Sequence, residues 1–135
     1  MKKGESTHNY ISPDDVIGAI IAYSELQEFT SEKRKLHKIM KSLVENYKEK
    51  DPSLLLDEFI FSQEDIYPFS KLLEGVLIRL QIPDIITADN PTYERYRMDD
   101  SSRTFMKKNA ENLFNAFQLS IIKKMATEFK KEADV

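Results

Sequence analysis

The chain has 135 residues, enough for one domain that buries roughly two-thirds of the surface its unfolded form exposes. Its 32% charged and 41% hydrophobic residues, with a net charge of −3, are typical of a globular protein and exclude an intrinsically disordered one. The absence of cysteine excludes disulfides, thiolate metal sites and cysteine nucleophiles, and the lack of a long apolar run or an apolar signal segment predicts a cytoplasmic protein with no membrane span.

The first helix is predicted to lie at the centre of the fold. Residues 1–11 are polar and are predicted to be frayed, ahead of a single domain over residues 12–135. Ser12 as N-cap and Pro13 at the first helical position predict a helix that runs to about Glu28. Apolar residues surround almost its whole circumference, so we expect other elements to cover it on all sides.

A second helix is predicted from a cap at Thr30 or Ser31 to about Lys50. Apolar residues recur at helical spacing along it and predict one buried face. The opposite face is basic, and we expect His37 to lie there as a solvated surface residue.

The middle of the chain holds an ambiguous segment followed by a clear helix. Residues 54–58 favour a helical turn and residues 59–61 favour a strand. The sequence Tyr67-Pro68-Phe69-Ser70 then precedes an amphipathic helix over residues 71–81. Its apolar positions predict one buried face.

A two-stranded β-ribbon is predicted next. Residues 85–87 and 93–98 are β-prone, and the turn-forming residues 89–91 lie between them. A helix followed by a ribbon is the order expected of a winged-helix module. We therefore predict a mainly α-helical, α+β fold with about four helices and a small ribbon.

A long C-terminal helix is predicted over residues 101–131. It would be about 45 Å long, and its apolar stripe turns part-way along, which indicates two successive apolar faces. Either the rest of the chain covers both faces, or the second face forms a homodimer contact. The candidate dimer contacts are Phe114, Ile121, Ile122, Met125 and Phe129.

Charge is distributed unevenly along the chain. Residues 51–100 hold four basic and eleven acidic residues, a balance of −7, whereas the segments before and after them are net positive. The predicted winged segment is therefore acidic, and an acidic surface repels the phosphate backbone of DNA. This disfavours a nucleic-acid partner.

Seven cations are nevertheless candidate nucleic-acid contacts. Arginines on a ribbon and cations on the helix before it can reach a DNA groove, while a basic helix can contact phosphates. The alternatives are that the ribbon arginines neutralise acids within the fold and that the basic helix is an ordinary solvated face. The candidates are Lys33, Arg34, Lys38, Lys71, Arg79, Arg95 and Arg97.

The sequence offers no catalytic motif. Its acidic pairs precede helices or lie in loops, and its two histidines lack partners at metal-ligand spacing. The three glycines, at positions 4, 18 and 75, cannot form a phosphate-binding loop. We therefore predict no catalytic residues, no metal and no cofactor.

Three features of the sequence carry a family resemblance: Tyr67-Pro68-Phe69-Ser70, the helix after it and the 93–98 strand. On these features, roughly residues 33–100 resemble the Panacea antitoxin-type domain. That family has a Gly-Pro-Phe-Ser motif at this place, where the present chain has Tyr67 instead of glycine. The resemblance implies a winged-helix-like fold and protein binding or regulation without catalysis. The leading prediction is a non-enzymatic protein-interaction or regulatory module, antitoxin-like or phage-encoded. The alternative is a winged-helix DNA-binding transcriptional regulator.

Overall fold

A computed structural model of the chain describes residues 10–63, 66–88 and 95–134. Within these ranges the protein is mainly helical and has a small three-stranded antiparallel sheet. The α-helices are α1 (Pro13–Ser24), α2 (Lys33–Tyr47), α3 (Lys71–Gln81), α4 (Asp100–Leu113) and α5 (Ala116–Ala133). The strands are β1 (Glu28–Thr30), β2 (Thr87–Ala88) and β3 (Arg95–Arg97), and they lie side by side in the order β1-β3-β2.

The central position predicted for α1 is confirmed. The Ser12 hydroxyl accepts the backbone N–H of Asp15, whose carboxylate in turn accepts the backbone N–H of Ser12 at 3.0 Å. This reciprocal cap fixes where the helix begins. Residues 16–22 are all buried, and α3, α4 and α5 pack around them. A helix that is apolar on all sides is stable in water only in such a position.

The predicted end of α1 near Glu28 is wrong, because a distant arginine ends the helix earlier. Glu25 adopts a left-handed conformation with φ of 64°, and its N–H bonds to the Ala22 carbonyl oxygen. The buried Arg103 side chain of α4 donates to the carbonyl oxygens of Ile21, Ala22 and Leu26. The chain then leaves the helix and forms β1, a strand that we did not predict.

The second helix is present, but it begins and ends inside its predicted bounds. Thr30 lies in β1, where its hydroxyl accepts the backbone N–H of Glu32 at 3.1 Å. Glu32 is the N-cap of α2, and the helix ends at Tyr47. The predicted apolar face is buried as expected: Leu36, Ile39, Met40, Leu43 and Val44.

The connection between α2 and α3 is irregular. Two short 3₁₀ turns, Pro52–Leu54 and Leu56–Glu58, match the expected helical character, but the strand predicted at residues 59–61 is wrong. An isolated antiparallel bridge joins Ser62 to Phe69 instead. The α3 helix has its predicted bounds of 71–81.

The predicted ribbon is present within the described residues, with its first strand at Thr87–Ala88 instead of 85–87 and its second at Arg95–Arg97. Thr87 lies opposite Arg97 and Ala88 opposite Tyr96, in antiparallel register. Strand β1 pairs with the other edge of β3, which makes the ribbon part of a three-stranded sheet. Tyr93 and the turn predicted at 89–91 lie outside the described residues, as do residues 1–9 of the predicted frayed start.

The single C-terminal helix predicted over residues 101–131 is wrong. Phe114 is extended, with φ of −99° and ψ of 144°, and it separates α4 from α5. Asn115 then caps α5: its side chain accepts the backbone N–H of Gln118 at 2.8 Å, and the Gln118 side chain accepts the backbone N–H of Asn115 at 2.7 Å. The two apolar faces therefore belong to two helices.

The five candidate dimer contacts are buried inside the same chain. Helix α5 packs on α1 and α2, and the Phe129 ring meets Phe29 edge-on with 5.5 Å between ring centroids. This corrects the interpretation of a second, outward apolar face, because none of the five side chains is exposed. All of them belong to the hydrophobic core: Phe114, Ile121, Ile122, Met125 and Phe129.

Candidate interaction surface

The two ribbon arginines share one acidic partner within the sheet. Glu28 of β1 lies opposite Arg97 of β3. One of its carboxylate oxygens accepts from Arg95 at 2.9 Å, and the other accepts from Arg97. Two guanidinium groups thus share one carboxylate. The alternative in which these arginines pair with acids of the fold agrees with this geometry.

The arginine on α3 is also paired. Arg79 donates to both carboxylate oxygens of Asp14 at the start of α1, from Nε at 2.9 Å and from Nη2 at 2.8 Å. This bidentate contact raises the pKa of Arg79 and fixes the direction of its side chain. A DNA phosphate would have to share the guanidinium with Asp14.

The four remaining candidate cations differ in their surroundings. Lys33 pairs with Glu74 at 3.1 Å, and the hydrogen bond with Glu74 raises the pKa of Lys33. The Arg34 guanidinium lies 6.0 Å from the centre of the Tyr67 ring, within the range of a cation–π contact. Lys38 and Lys71 are exposed, and neither has an ion-pair partner within the described ranges.

His37 is fully buried, so the prediction of a solvated surface residue is wrong. Its ring stacks on Phe69 with 4.6 Å between centroids and an interplanar angle of 10°. Nδ1 accepts the backbone N–H of Ser70 at 3.1 Å, which places the ring proton on Nε2. Nε2 then donates to Glu74 at 3.3 Å. Burial lowers the pKa of His37, and the Glu74 hydrogen bond opposes this shift.

This network anchors the start of α3 on α2. Ser70 is the N-cap of α3, and its hydroxyl accepts the backbone N–H of Leu73 at 3.1 Å. His37 of α2 thus holds the same residue that begins α3. The Tyr67-Pro68-Phe69-Ser70 segment therefore has a structural role: it orients α3 and determines which face of that helix points outward.

The outward face of α3 is apolar at its C-terminal end. Lys71, Gly75, Ile78 and Ile82 follow one another at spacings of three and four residues, so they share one side of the helix. Ile78 is 53% exposed and Ile82 is 77% exposed. Because the two side chains lie one turn apart on the same side, they form an exposed apolar pair and a candidate contact surface.

An open groove of about 560 Å³ lies next to this face, between α3 and α4, and Ile78 and Ile82 are not among the residues that line it. Leu80 and Met106 are buried at its floor, and the rim includes Pro83 and Phe105, whose ring is 60% exposed. The Ser102 hydroxyl donates to the Asp84 carbonyl oxygen at 3.2 Å, which joins the end of α3 to the start of α4. We call the surface formed by Ile78, Ile82, Pro83, Phe105 and the groove the α3–α4 face.

Neither metal-binding nor membrane-spanning features are found in the described part of the chain. No group of three or more histidine or acidic side chains in ranges 10–63, 66–88 and 95–134 is placed to hold a metal ion. Of the helices in those ranges, none is both long and apolar enough to cross a membrane.

Comparison of the chain with protein-family models, with curated proteins and with solved structures gives no significant match. The resemblance to the Panacea domain therefore stays a prediction. Function has to be inferred from the surface itself.

The contact sites predicted from the sequence were the seven cations and the apolar residues of the C-terminal helix. The α3–α4 face was not among them. The signal was present in the sequence. Ile78 and Ile82 interrupt the polar side of an otherwise amphipathic helix, four residues apart. Phe105 similarly stands among polar residues in the first turns of α4. Large apolar residues on the polar side of a helix indicate a contact surface.

Proposed function

We propose that the protein is a non-enzymatic regulatory module, antitoxin-like or phage-encoded, that binds another protein through the α3–α4 face. The observation that carries this proposal is the outward face of α3, where exposed Ile78 and Ile82 occupy the positions that a DNA-reading helix fills with polar groups. Apolar side chains at such positions match the desolvated centre of a protein interface.

Element order supports a winged-helix-like fold for this module. The element order α1-β1-α2-α3-β2-β3 and the sheet order β1-β3-β2 are compatible with the order expected of a winged-helix module. In such a module α3 would be the recognition helix. With that topology, α3 would bind a protein in place of DNA.

The charges of the described residues favour protein over nucleic acid. Arg79, Arg95 and Arg97 all pair with carboxylates of the same chain. Binding to DNA requires lysine and arginine side chains that can replace the counterions of phosphates. Cations held in ion pairs contribute less to such an exchange, and Glu28 balances one of the two charges of Arg95 and Arg97.

Two measurements on purified protein test the proposal. We expect no salt-sensitive binding of duplex DNA, and we expect a specific protein from a lysate of the host cells to bind wild type but not Ile82→Lys. Ile60→Lys is the matched control, because Ile60 is equally exposed but lies in the α2–α3 connection. If Ile82→Lys and Ile60→Lys retain the same partner as wild type, the α3–α4 face is not the binding site.

The second candidate function is a winged-helix DNA-binding regulator, and one observation favours it. Lys38 and Lys71 are exposed and unpaired within the described ranges, so they remain free to contact phosphates. This function predicts DNA binding that weakens steeply with salt, with a slope that becomes shallower by about one for each lysine replaced by alanine.

A further inference from the structure

The outward side of α3 carries two charges in positions that its own helix dipole disfavours. Lys71 lies in the first turn, at the positive end of the helix, and Asp84 follows the last turn, at the negative end. Both side chains are exposed, and neither has an ion-pair partner in the part of the chain that the structure describes. A cation is favoured at a helix C-terminus and an anion at a helix N-terminus. Both charges would therefore gain from a second helix that runs in the opposite direction.

The position of Asp84 is fixed by the way α3 ends. The backbone N–H of Asp84 bonds to the Gln81 carbonyl oxygen at 3.0 Å, and that of Ile85 bonds to the Leu80 carbonyl oxygen at 2.9 Å. This is the pattern of a Schellman motif, in which Asp84 is the left-handed residue, with φ of 61°. Glycine usually occupies that place, because a side chain is disfavoured in this conformation. The motif holds Asp84 at the C-terminal tip of the helix.

The apolar residues between these two charges are arranged symmetrically. Ile78 lies seven residues after Lys71 and six before Asp84, which is close to the midpoint. In an antiparallel pair with Lys71 opposite Asp84 of the second copy, the two Ile78 side chains would meet at the twofold axis. Ile82 would lie between Gly75 and Lys71 of the other copy, where the lysine stem can cover it. One side of α3 is therefore complementary to itself, as a twofold interface requires.

The charged residues on the two flanks of this side already have partners in their own chain. On one flank Arg79 holds Asp14 at 2.8 and 2.9 Å, and on the other flank Glu74 holds Lys33 at 3.1 Å. Each of these pairs carries no net charge, so the flanks of two copies can approach without strong repulsion. The charges that remain for a partner are those at the two ends of the helix.

We propose that the outward side of α3 binds the same side of α3 in a second copy of the chain, with the two helices antiparallel. Lys71 of each copy then contacts Asp84 of the other, and the exposed isoleucines fill the space between these contacts. A helix about 16 Å long and about 10 Å wide gives a contact smaller than the about 800 Å² per partner of a standard interface, so we expect a weak dimer that forms at micromolar concentrations. The inference rests on the proposed function and deepens it, because a second copy would cover part of the α3–α4 face and compete with the partner protein.

Sedimentation equilibrium at low salt, over about 1 to 500 µM protein, tests this pairing. The wild-type mass should rise from near 15.8 kDa toward twice that value. Ile82→Lys should raise the Kd of the dimer at least about tenfold, because it places a charge in the centre of the contact. Ile60→Lys is the matched control and should leave the Kd unchanged, since Ile60 is equally exposed but lies in the α2–α3 connection.

Exchanging the end charges distinguishes the antiparallel pairing from any other use of the two isoleucines. Lys71→Asp would place two acids together at both ends of the dimer, and Asp84→Lys would place two lysines together. Each variant alone should therefore raise the Kd at least about tenfold. An equimolar mixture of the two variants should dimerise as wild type does, because each end then joins an acid to a lysine. Recovery in the mixture would also show that both variants are folded.

Three results would overturn this inference. They are a chain that stays monomeric over the whole concentration range, a dimer whose Kd is the same in Ile82→Lys, and a mixture of the charge variants that associates no better than either variant alone. If the chain is monomeric while the host partner still depends on Ile82, the proposed function stands and the second copy is excluded. If the chain dimerises as described but no host partner depends on Ile82, the dimer stands and the proposed function fails.

Discussion

Replacing Arg103 with methionine is expected to destabilise the fold strongly. The Arg103 side chain is buried and donates to three carbonyl oxygens at the end of α1. Two of them, on Ile21 and Ala22, have a second donor: the Ser24 hydroxyl for the former and the Glu25 N–H for the latter. The carbonyl of Leu26 depends on Arg103 alone among the described side chains.

The expected loss in the free energy of unfolding follows from these hydrogen-bond partners. A buried carbonyl left without a donor costs about 1–3 kcal/mol, and a hydrogen bond to a charged donor contributes about 1.5–3 kcal/mol. With two carbonyls still partly satisfied, we expect Arg103→Met to lower the free energy of unfolding by about 3–4 kcal/mol. Because small domains are stable by only about 5–15 kcal/mol, this is a large fraction of the total.

Urea unfolding followed by circular dichroism measures this loss. With an m-value of about 2 kcal/mol/M, the midpoint should fall by roughly 1.5–2 M. Lys107→Met is the control, because Lys107 pairs with the exposed Glu25 at the same helix end and a surface ion pair contributes about 0–1 kcal/mol. A loss below about 1 kcal/mol for Arg103→Met, equal to the control, would refute the view that this side chain ends α1.

Three further predictions concern burial, protonation and charge. Phe129→Ala should lower the free energy of unfolding by about 3–5 kcal/mol, since Phe129 is a fully buried core ring; a loss below about 1 kcal/mol by urea unfolding would contradict its placement. Burial lowers the pKa of His37, so the unfolded chain takes up the imidazole proton first, and the free energy of unfolding should fall as the pH drops below about 6.5. The stability difference between wild type and His37→Gln should therefore shrink from pH 7.5 to pH 5, and a constant difference would argue against a buried neutral ring. Glu28→Gln should release Arg95 and Arg97 and create salt-sensitive binding of duplex DNA in an anisotropy assay, whereas unchanged binding would show that Glu28 does not neutralise them.

Helix ends that are set by neighbouring residues could be predicted from the sequence. Ser12 and Ser70 each cap the helix that follows through a bond to a residue three positions on, so both starts were predictable. The bounds of α3 were predicted from Ser70 before the helix and from Pro83 after it. The all-round apolar character of residues 16–22 likewise indicated a central helix before any packing was known.

The wrong predictions for the end of α1 and for the burial of His37 concern features that depend on residues far away in the chain. The end of α1 is set by Arg103, which no pattern around Glu25 announces. Burial of His37 depends on Phe69 and Ser70, more than thirty residues later. Such contacts form only when the tertiary fold brings the two segments together, so the sequence around either one gives no sign of them.

The break between α4 and α5 is a different case, because its signal was readable. Asn115 followed by Gln118 has the spacing of a helix N-terminal cap. Strong helical character on both sides concealed it, and the change of apolar face was then explained either by cover from the rest of the chain or by a homodimer contact. The candidate cations illustrate a further limit: composition gives the number of charges, but only the fold determines which carboxylate each arginine meets.

We propose above that the α3–α4 face binds a protein. The cations near this face are then not expected to bind nucleic acid. Fluorescence anisotropy of a labelled 30-base-pair duplex, titrated with wild-type protein from 50 to 200 mM salt, tests it most directly. We predict no saturable binding up to tens of micromolar protein at any of these salt concentrations. Binding that weakens by orders of magnitude across this range, and that Lys38→Ala with Lys71→Ala abolishes, would contradict the account and favour the DNA-binding regulator.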